Sequence, residues 1–121
     1  FEDVWNKQRL EVVDEVFAAT VLLNGQPVPR ETIKQVVTAR RVAFPDIQVT
    51  VEDQVAEGDK VSTRRTWQAT HQGPYRGIAA TGKRVRWAQI SIVRLVEGRI
   101  VEDWPVADEL SILQQLGHLP G

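Results

Sequence analysis

Residues 47–71 read IQVTVEDQVAEGDKVSTRRTWQATH, and this stretch decides the fold class. Ile47, Val49 and Val51 alternate with Gln48, Thr50 and Glu52, the two-residue period of a strand with one buried face. Glu57-Gly58-Asp59 interrupts the pattern as a turn, and residues 61–71 return as a second strand. A symmetric turn sets Val49 opposite Trp67 and Glu52 opposite Arg64. Apolar partners then share one face and charged partners the other, as a half-buried hairpin requires.

Upstream the period is 3.6 rather than 2. Trp5, Val12, Val13, Val16 and Phe17 fall at near-helical spacing, and Asn6 is placed to cap a helix that begins near Lys7 and so split the segment in two. The apolar run 20–23 stops at Asn24-Gly25, which with Pro27 and Pro29 reads as a turn. A second helix starts near Pro29, turns Ile33, Val36, Val37, Arg40 and Phe44 to one face, and ends at Pro45. Downstream, residues 72–83 form a loop with three glycines and Pro74. Strands are expected over 85–95 and 100–106, joined by a tight Glu97-Gly98 turn. A final helix begins at Asp108, carries Leu110, Leu113 and Leu116, and stops before Gly117. Helices first, an antiparallel meander next and a closing helix last make an α+β domain, in which a curved sheet covered by helices encloses a ligand cavity.

Composition narrows the function classes. The chain has 121 residues, 42% of them hydrophobic, which suits one domain with a filled core. It begins at Phe1 rather than Met, so a few residues of the first helix are expected to precede it. The 15 Lys and Arg balance 16 Asp and Glu, so the basic footprint of a nucleic-acid binder is missing. Arg40-Arg41, Lys83-Arg84 and the strand arginines Arg64, Arg65, Arg86 and Arg94 read as a solvated face or a dimer surface. Cysteine is absent, which excludes disulfides and a thiol nucleophile and fits a reducing, cytoplasmic compartment. No apolar run approaches the roughly 20 residues of a bilayer span, and no signal-peptide pattern is visible. Two separated histidines and no tight carboxylate group leave no metal site, and the glycines of 73–82 do not join a strand to a helix as a phosphate loop would.

Two stretches carry a family resemblance: THQGPYRGIAATGKRV over 70–85 and ISIVRLVEGRIVEDWPVADELSILQQLG over 90–117. Thr70, His71, Gly73, Tyr75, Gly77, Ile78, Thr81, Gly82 and Lys83, then Arg94, Gly98, Ile100, Glu102, Trp104 and Asp108, follow a spacing that resembles the SnoaL-like polyketide cyclase, or ester cyclase, group. Val4-Trp5-Asn6 and the stretch from Ala43 to Val61 also fit it. The resemblance implies one SnoaL-like domain over residues 1–121, of the NTF2-like superfamily: a cone whose curved antiparallel sheet is wrapped by N-terminal helices and closed by a short C-terminal helix. It further implies an enzyme without a cofactor that closes a carbocycle by intramolecular aldol condensation of a polyketide ester through one carboxyl group. That carboxyl is Asp103, where many members of the group carry His.

The residues themselves leave alternatives open. An acid in the strand holding Ile100, Val101, Trp104 and Val106 is either a buried general acid/base or an exposed partner of a base such as Arg94. If Glu97-Gly98 closes a two-residue hairpin, Asp103 pairs with Ile92, while Gln89, Ser91 and Trp104 lie on the other face. Only one face lines a cavity, unless a bulge re-aims a side chain. His71 shares the face of Trp67 and Ala69, so it is either a catalytic helper or a strand-end residue bonded to the glycine-rich loop. Asp108 either enters the pocket or caps the last helix, and His118 lies at the surface. Trp5, Trp67, Trp87 and Trp104, with Gln89, are candidates to hold a flat apolar ligand, though large aromatics also fill cores.

Two functions compete on these grounds. One is an acid/base enzyme acting on a hydrophobic, carbonyl-rich small molecule, with an isomerase or hydrolase as its sibling. The other is a non-catalytic module that binds a small ligand or dimerises, with Asp103 exposed. In both, the uncovered sheet face predicts a homodimer or higher homo-oligomer.

Overall fold

The computed structural model describes residues 2–118. Helices α1 (Glu2–Asn6) and α2 (Val12–Val16) lead into β1 (Phe17–Leu23) and β2 (Gln26–Pro29). Then follow α3 (Arg30–Ala43), β3 (Gln48–Glu57), β4 (Lys60–Thr70), β5 (Arg84–Val96), β6 (Arg99–Ala107) and α4 (Glu109–Gln115). The six strands make one sheet in the order β2-β1-β6-β5-β4-β3. It is the expected α+β arrangement, with two strands more than the meander. No helix among the described residues is long and apolar enough to cross a membrane.

Local chemistry explains each departure from the sequence reading. Phe17 is the first residue of β1 rather than the last of a helix: its backbone is extended at φ −101°, ψ 144°, and it pairs in parallel with Ile100 of β6. That parallel pairing makes the sheet mixed. Asn6 ends α1 instead of capping a helix. Its amide donates to Val49 O (2.8 Å) and accepts from Val49 N (2.7 Å), so it pairs with β3 as a strand residue would. Asn24 and Gly25, both at positive φ, close a two-residue hairpin between β1 and β2. The prolines that made 27–29 read as a turn are tolerated because β2 is an edge strand.

The 47–71 hairpin has Val49 opposite Trp67 as expected. Arg64 faces Asp53, not Glu52, because Glu52 is the extra residue of a bulge; its carboxylate accepts instead from the Thr66 hydroxyl at 2.7 Å. Helix α4 buries Ile112 and Leu116 and leaves Leu110 outside. The loop between β4 and β5 docks on the end of α3, with the amides of Gln72 and Gly73 both donating to Ala43 O at 3.0 and 3.2 Å. Only glycine fits at 73, since a Cβ there would stand 2.1 Å from Val42 O. The core between helices and sheet is built on Phe17, Phe44, Ile47, Trp67, Ile112 and Leu116, all nearly inaccessible to solvent.

Candidate functional site

Between the helices and the concave side of the sheet lies a cavity of about 760 Å³. That is the size range of a small-molecule site. Ile33, Val36 and Val37 of α3, with Leu23, Pro105 and Ala107, give the cavity apolar lining. Polar lining comes from Glu2, Gln54, Thr63, Arg65, Gln89, Ser91 and Asp103, interleaved with the apolar residues: Asp103 stands opposite Leu23, Ser91 opposite Pro105 and Gln89 opposite Ala107. Also in the lining, Arg40 faces Glu109 at 3.6 Å, and the Tyr75 hydroxyl donates to the same Glu109 carboxylate.

A bulge decides which side of β6 looks into this space. Val96 pairs with Arg99 and Leu95 with Ile100, as a two-residue Glu97-Gly98 hairpin dictates. Arg94 then pairs with Glu102, which leaves Val101 as the extra residue. Every later pair is displaced by one, so Asp103 stands opposite Val93 and Trp104 opposite Ile92. Directly opposed residues share a face, so Asp103 lies on the side of Ser91 and Val93, lining the cavity. Trp104 goes to the outer face, where it is 43% exposed and its ring would stand 3.5 Å from a Cβ at Gly25. The expected pairing of Asp103 with Ile92 is therefore corrected, and Trp104 is not a cavity residue. Arg94 bonds Glu102 and lies 3.7 Å from Asp59, so it does not partner Asp103.

Asp103 is half-buried, and its Oδ1 is inaccessible and without a hydrogen-bond partner. Burial pushes its pKa up to about 6, against the opposing pull of the Arg65 guanidinium. Such a carboxyl exchanges its proton near neutral pH, as general acid/base chemistry requires. Arg65 itself is 8% exposed. Its Nε donates to Glu2 Oε1 at 3.1 Å and its Nη1 to Ser91 Oγ at 2.9 Å. Burial pushes the Glu2 carboxyl up, but its own backbone amide and Arg65 together hold it below the ordinary range.

The aromatic wall is layered. Trp67 lines the cavity, with Trp5 edge-on at 4.7 Å between ring centres. Trp87 stacks behind Trp67 at 6.0 Å with the planes 7° apart, so it belongs to the core and does not reach the cavity lining. The Trp67 indole N–H donates to Gln89 Oε1 at 3.1 Å, which fixes the Gln89 amide at the cavity wall.

Two further candidates lie elsewhere. His71 is fully buried under the glycine-rich loop: its Nδ1 lies 2.9 Å from Thr81 Oγ1 and accepts from Thr81 N at 3.2 Å. It does not line the cavity, because β4 carries it past Trp67 to the closed end of the core, near Phe44. Asp108 caps α4 by accepting from Ser111 N at 3.1 Å and also stands outside the lining. The structure thus gathers Trp5, Trp67, Gln89 and Asp103, and separates His71, Trp87, Trp104 and Asp108 from them. Among the described residues no group of three or more His, Asp or Glu is arranged to hold a metal ion.

The cavity residues that the sequence reading does not anticipate are chiefly Arg65 and Glu2. Arg65 reads there as one of the solvated arginines. Its two-residue spacing from Trp67 was the available signal, since strand residues i and i+2 share a face. Nothing in the sequence marked Glu2.

Comparison with known proteins agrees with this architecture. A family model described as SnoaL-like polyketide cyclase matches residues 1–116. No curated protein matches the sequence. Among solved structures, TsrD from Streptomyces laurentii superposes with a TM-score of 0.91 at 26% identity, covering 98% of this chain and 90% of its own. IdmH, a proposed polyketide cyclase from Streptomyces antibioticus, gives 0.84 at 32% identity, covering 96% of this chain and 92% of its own. AclR, a proposed hydroxylase from Streptomyces galilaeus, gives 0.85 at 32% identity, covering 98% of this chain and 80% of its own.

Proposed function

The chain belongs to the SnoaL-like polyketide cyclase family, and on that premise we propose that it is an acid/base cyclase whose working group is Asp103. Its substrate is a hydrophobic, carbonyl-rich small molecule such as a polyketide ester. The Asp103 carboxylate takes a proton from a carbon between two carbonyl groups. The resulting enolate carbon attacks a ketone in the same molecule, forming the ring bond and an alkoxide. Protonated Asp103 then returns the proton to that alkoxide, so the carboxyl ends as it began. The substrate supplies both reacting carbons, and the cavity supplies a fixed geometry and one carboxyl that can hold or release a proton.

The observation that carries this reading is the inward-facing, burial-shifted Asp103 in the cavity wall. Trp5 and Trp67 offer flat apolar surface beside it, and the Gln89 amide a polar contact for substrate oxygen. A non-catalytic binding module calls instead for Asp103 in solvent, opposite to its position here. The test is turnover of a linear polyketide ester by wild type and Asp103→Asn. Loss of cyclisation by about 100-fold or more, with ligand binding retained, supports the assignment. Unchanged turnover in the variant rules it out.

We also infer a homo-oligomer formed through the outer face of the sheet. Ile90 pairs with Val106 and Ile92 with Trp104, and all four are exposed together on that face. A contiguous apolar patch of this kind on a folded chain calls for cover.

A further inference from the structure

The cavity wall holds two charged groups, Glu2 and Arg65, that the chemistry above does not use. Arg65 directs Nε to Glu2 and Nη1 to Ser91. The Glu2 carboxyl also feels the positive charge of the chain's amino terminus. Glu2 is the acid that receives the guanidinium, at 3.1 Å, whereas Asp103 Oδ1 is buried without a hydrogen-bond partner. The other charged groups among the described residues lining the cavity are Arg40 from α3 and Glu109 from α4, which face each other at 3.6 Å. From β1 and β5 the neighbours of Asp103 are Leu23, Asn24, Ser91 and Val93, none of which titrates.

We propose that Glu2 is a positioning residue that engages the Arg65 guanidinium and so holds it off Asp103, leaving the Asp103 carboxyl unpaired in the cavity wall. The physics is a competition for one cation. Arg65 beside Asp103 with no Glu2 would favour the ionised carboxylate and turn it into a weak base. With Glu2 present, part of the guanidinium charge is compensated, and burial outweighs its remaining pull on Asp103. The bonds from Arg65 to Glu2 and Ser91 go to groups other than Asp103. The importance of this device for turnover rests on Asp103 being the acid/base group; the device itself does not.

Carboxyl titration by NMR tests it without any substrate. Wild type, Glu2→Gln and Glu2→Asp are titrated with the Asp103 side-chain carbon followed, and near-ultraviolet circular dichroism of the tryptophan cluster reports the fold. Glu2→Gln is expected to lower the Asp103 midpoint by about one pH unit, within the range an opposite charge produces at short distance. Glu2→Asp keeps the charge and is expected to leave the midpoint near wild type. Glu2→Gln/Arg65→Gln removes both charges and is expected to move it back up. An Asp103 midpoint that is unchanged or raised in folded Glu2→Gln overturns the proposal, as does an equal fall in Glu2→Gln and Glu2→Asp. If Glu2→Gln does not fold, Glu2→Asp with Arg65→Gln decides: a midpoint in Arg65→Gln no higher than wild type overturns it. Should Asp103→Asn leave cyclisation untouched while these midpoints move as stated, the acid/base assignment fails and the charge device stands.

Discussion

Asp103 stands opposite Val93, one step from the Ile92 that an uninterrupted hairpin would give it, because Val101 is an extra residue in β6. That single step turns its carboxyl from the outer face of the sheet into the cavity. Removing Val101 should therefore remove the bulge and keep the site, because Arg94 stays opposite Glu102 and Asp103 opposite Val93 in a regular ladder. We expect the Val101 deletion to keep its strand content by circular dichroism, its raised Asp103 carboxyl midpoint and its cyclisation. A folded deletion variant whose Asp103 midpoint falls to the ~4 of an exposed aspartate would overturn this register.

Burial of Asp103 also has a signature in stability. Its folded value of about 6 lies above the ~4 of an unfolded aspartate. Below pH ~4 both states hold the proton, and the group has no effect. Between ~4 and 6 the unfolded chain ionises first, so stability falls as pH rises, and above 6 the full penalty is present. Asp103→Asn removes it. The variant should match wild type near pH 4 and be more stable by about 1–2 kcal/mol at pH 8. Denaturant melts at the two pH values measure this, and a variant less stable at pH 8 would count against a destabilised carboxyl.

Gly73 should tolerate no side chain. The Cβ of Gly73→Ala would stand 2.1 Å from Val42 O, a backbone atom that cannot swing aside. The loop would have to lift off α3, weakening the two amide bonds to Ala43 O. A loss of about 2–3 kcal/mol is expected in urea unfolding, larger than for Ala at an exposed turn glycine such as Gly58, where nothing lies within 4 Å of the added carbon.

The outer face of the sheet should respond to charge. Ile92 is 46% exposed, between Trp104 on β6 and Ser62 on β4. Ile92→Lys is expected to convert a homo-oligomer to monomer at micromolar concentration by light scattering, with the cavity unaffected. A wild-type chain already monomeric under those conditions would remove the oligomer from the account.

The sequence made the scaffold legible where one signal dominated. The alternation around Val49 and Trp67, the proline at each end of α3 and the Glu97-Gly98 turn each named an element that the fold contains. It was silent where two signals compete. Pro27 and Pro29 hid an edge strand, since the rule against proline in sheets applies to paired N–H groups. Both bulges were invisible as well, at Glu52 and at Val101, because an inserted residue has no composition of its own. The site inherited that blindness. Which face of β6 carries the acid turns on a parity that only pairing reveals, and Arg65 read as one of several surface arginines until its partners Glu2 and Ser91 were in place.

Asn6 has a consequence for everything the cavity holds. The short helix that it ends brings Glu2 and Trp5 to the cavity, and its last side chain clasps both the N–H and the C=O of Val49. A carboxamide carries its donor and its acceptor on separate atoms, so it can answer the N–H and the C=O of one peptide residue at once. One amide thus acts as the hem between a helical wall and the rim of the sheet. A helix that carries two cavity residues is anchored to β3 by a side chain that stands outside the cavity lining.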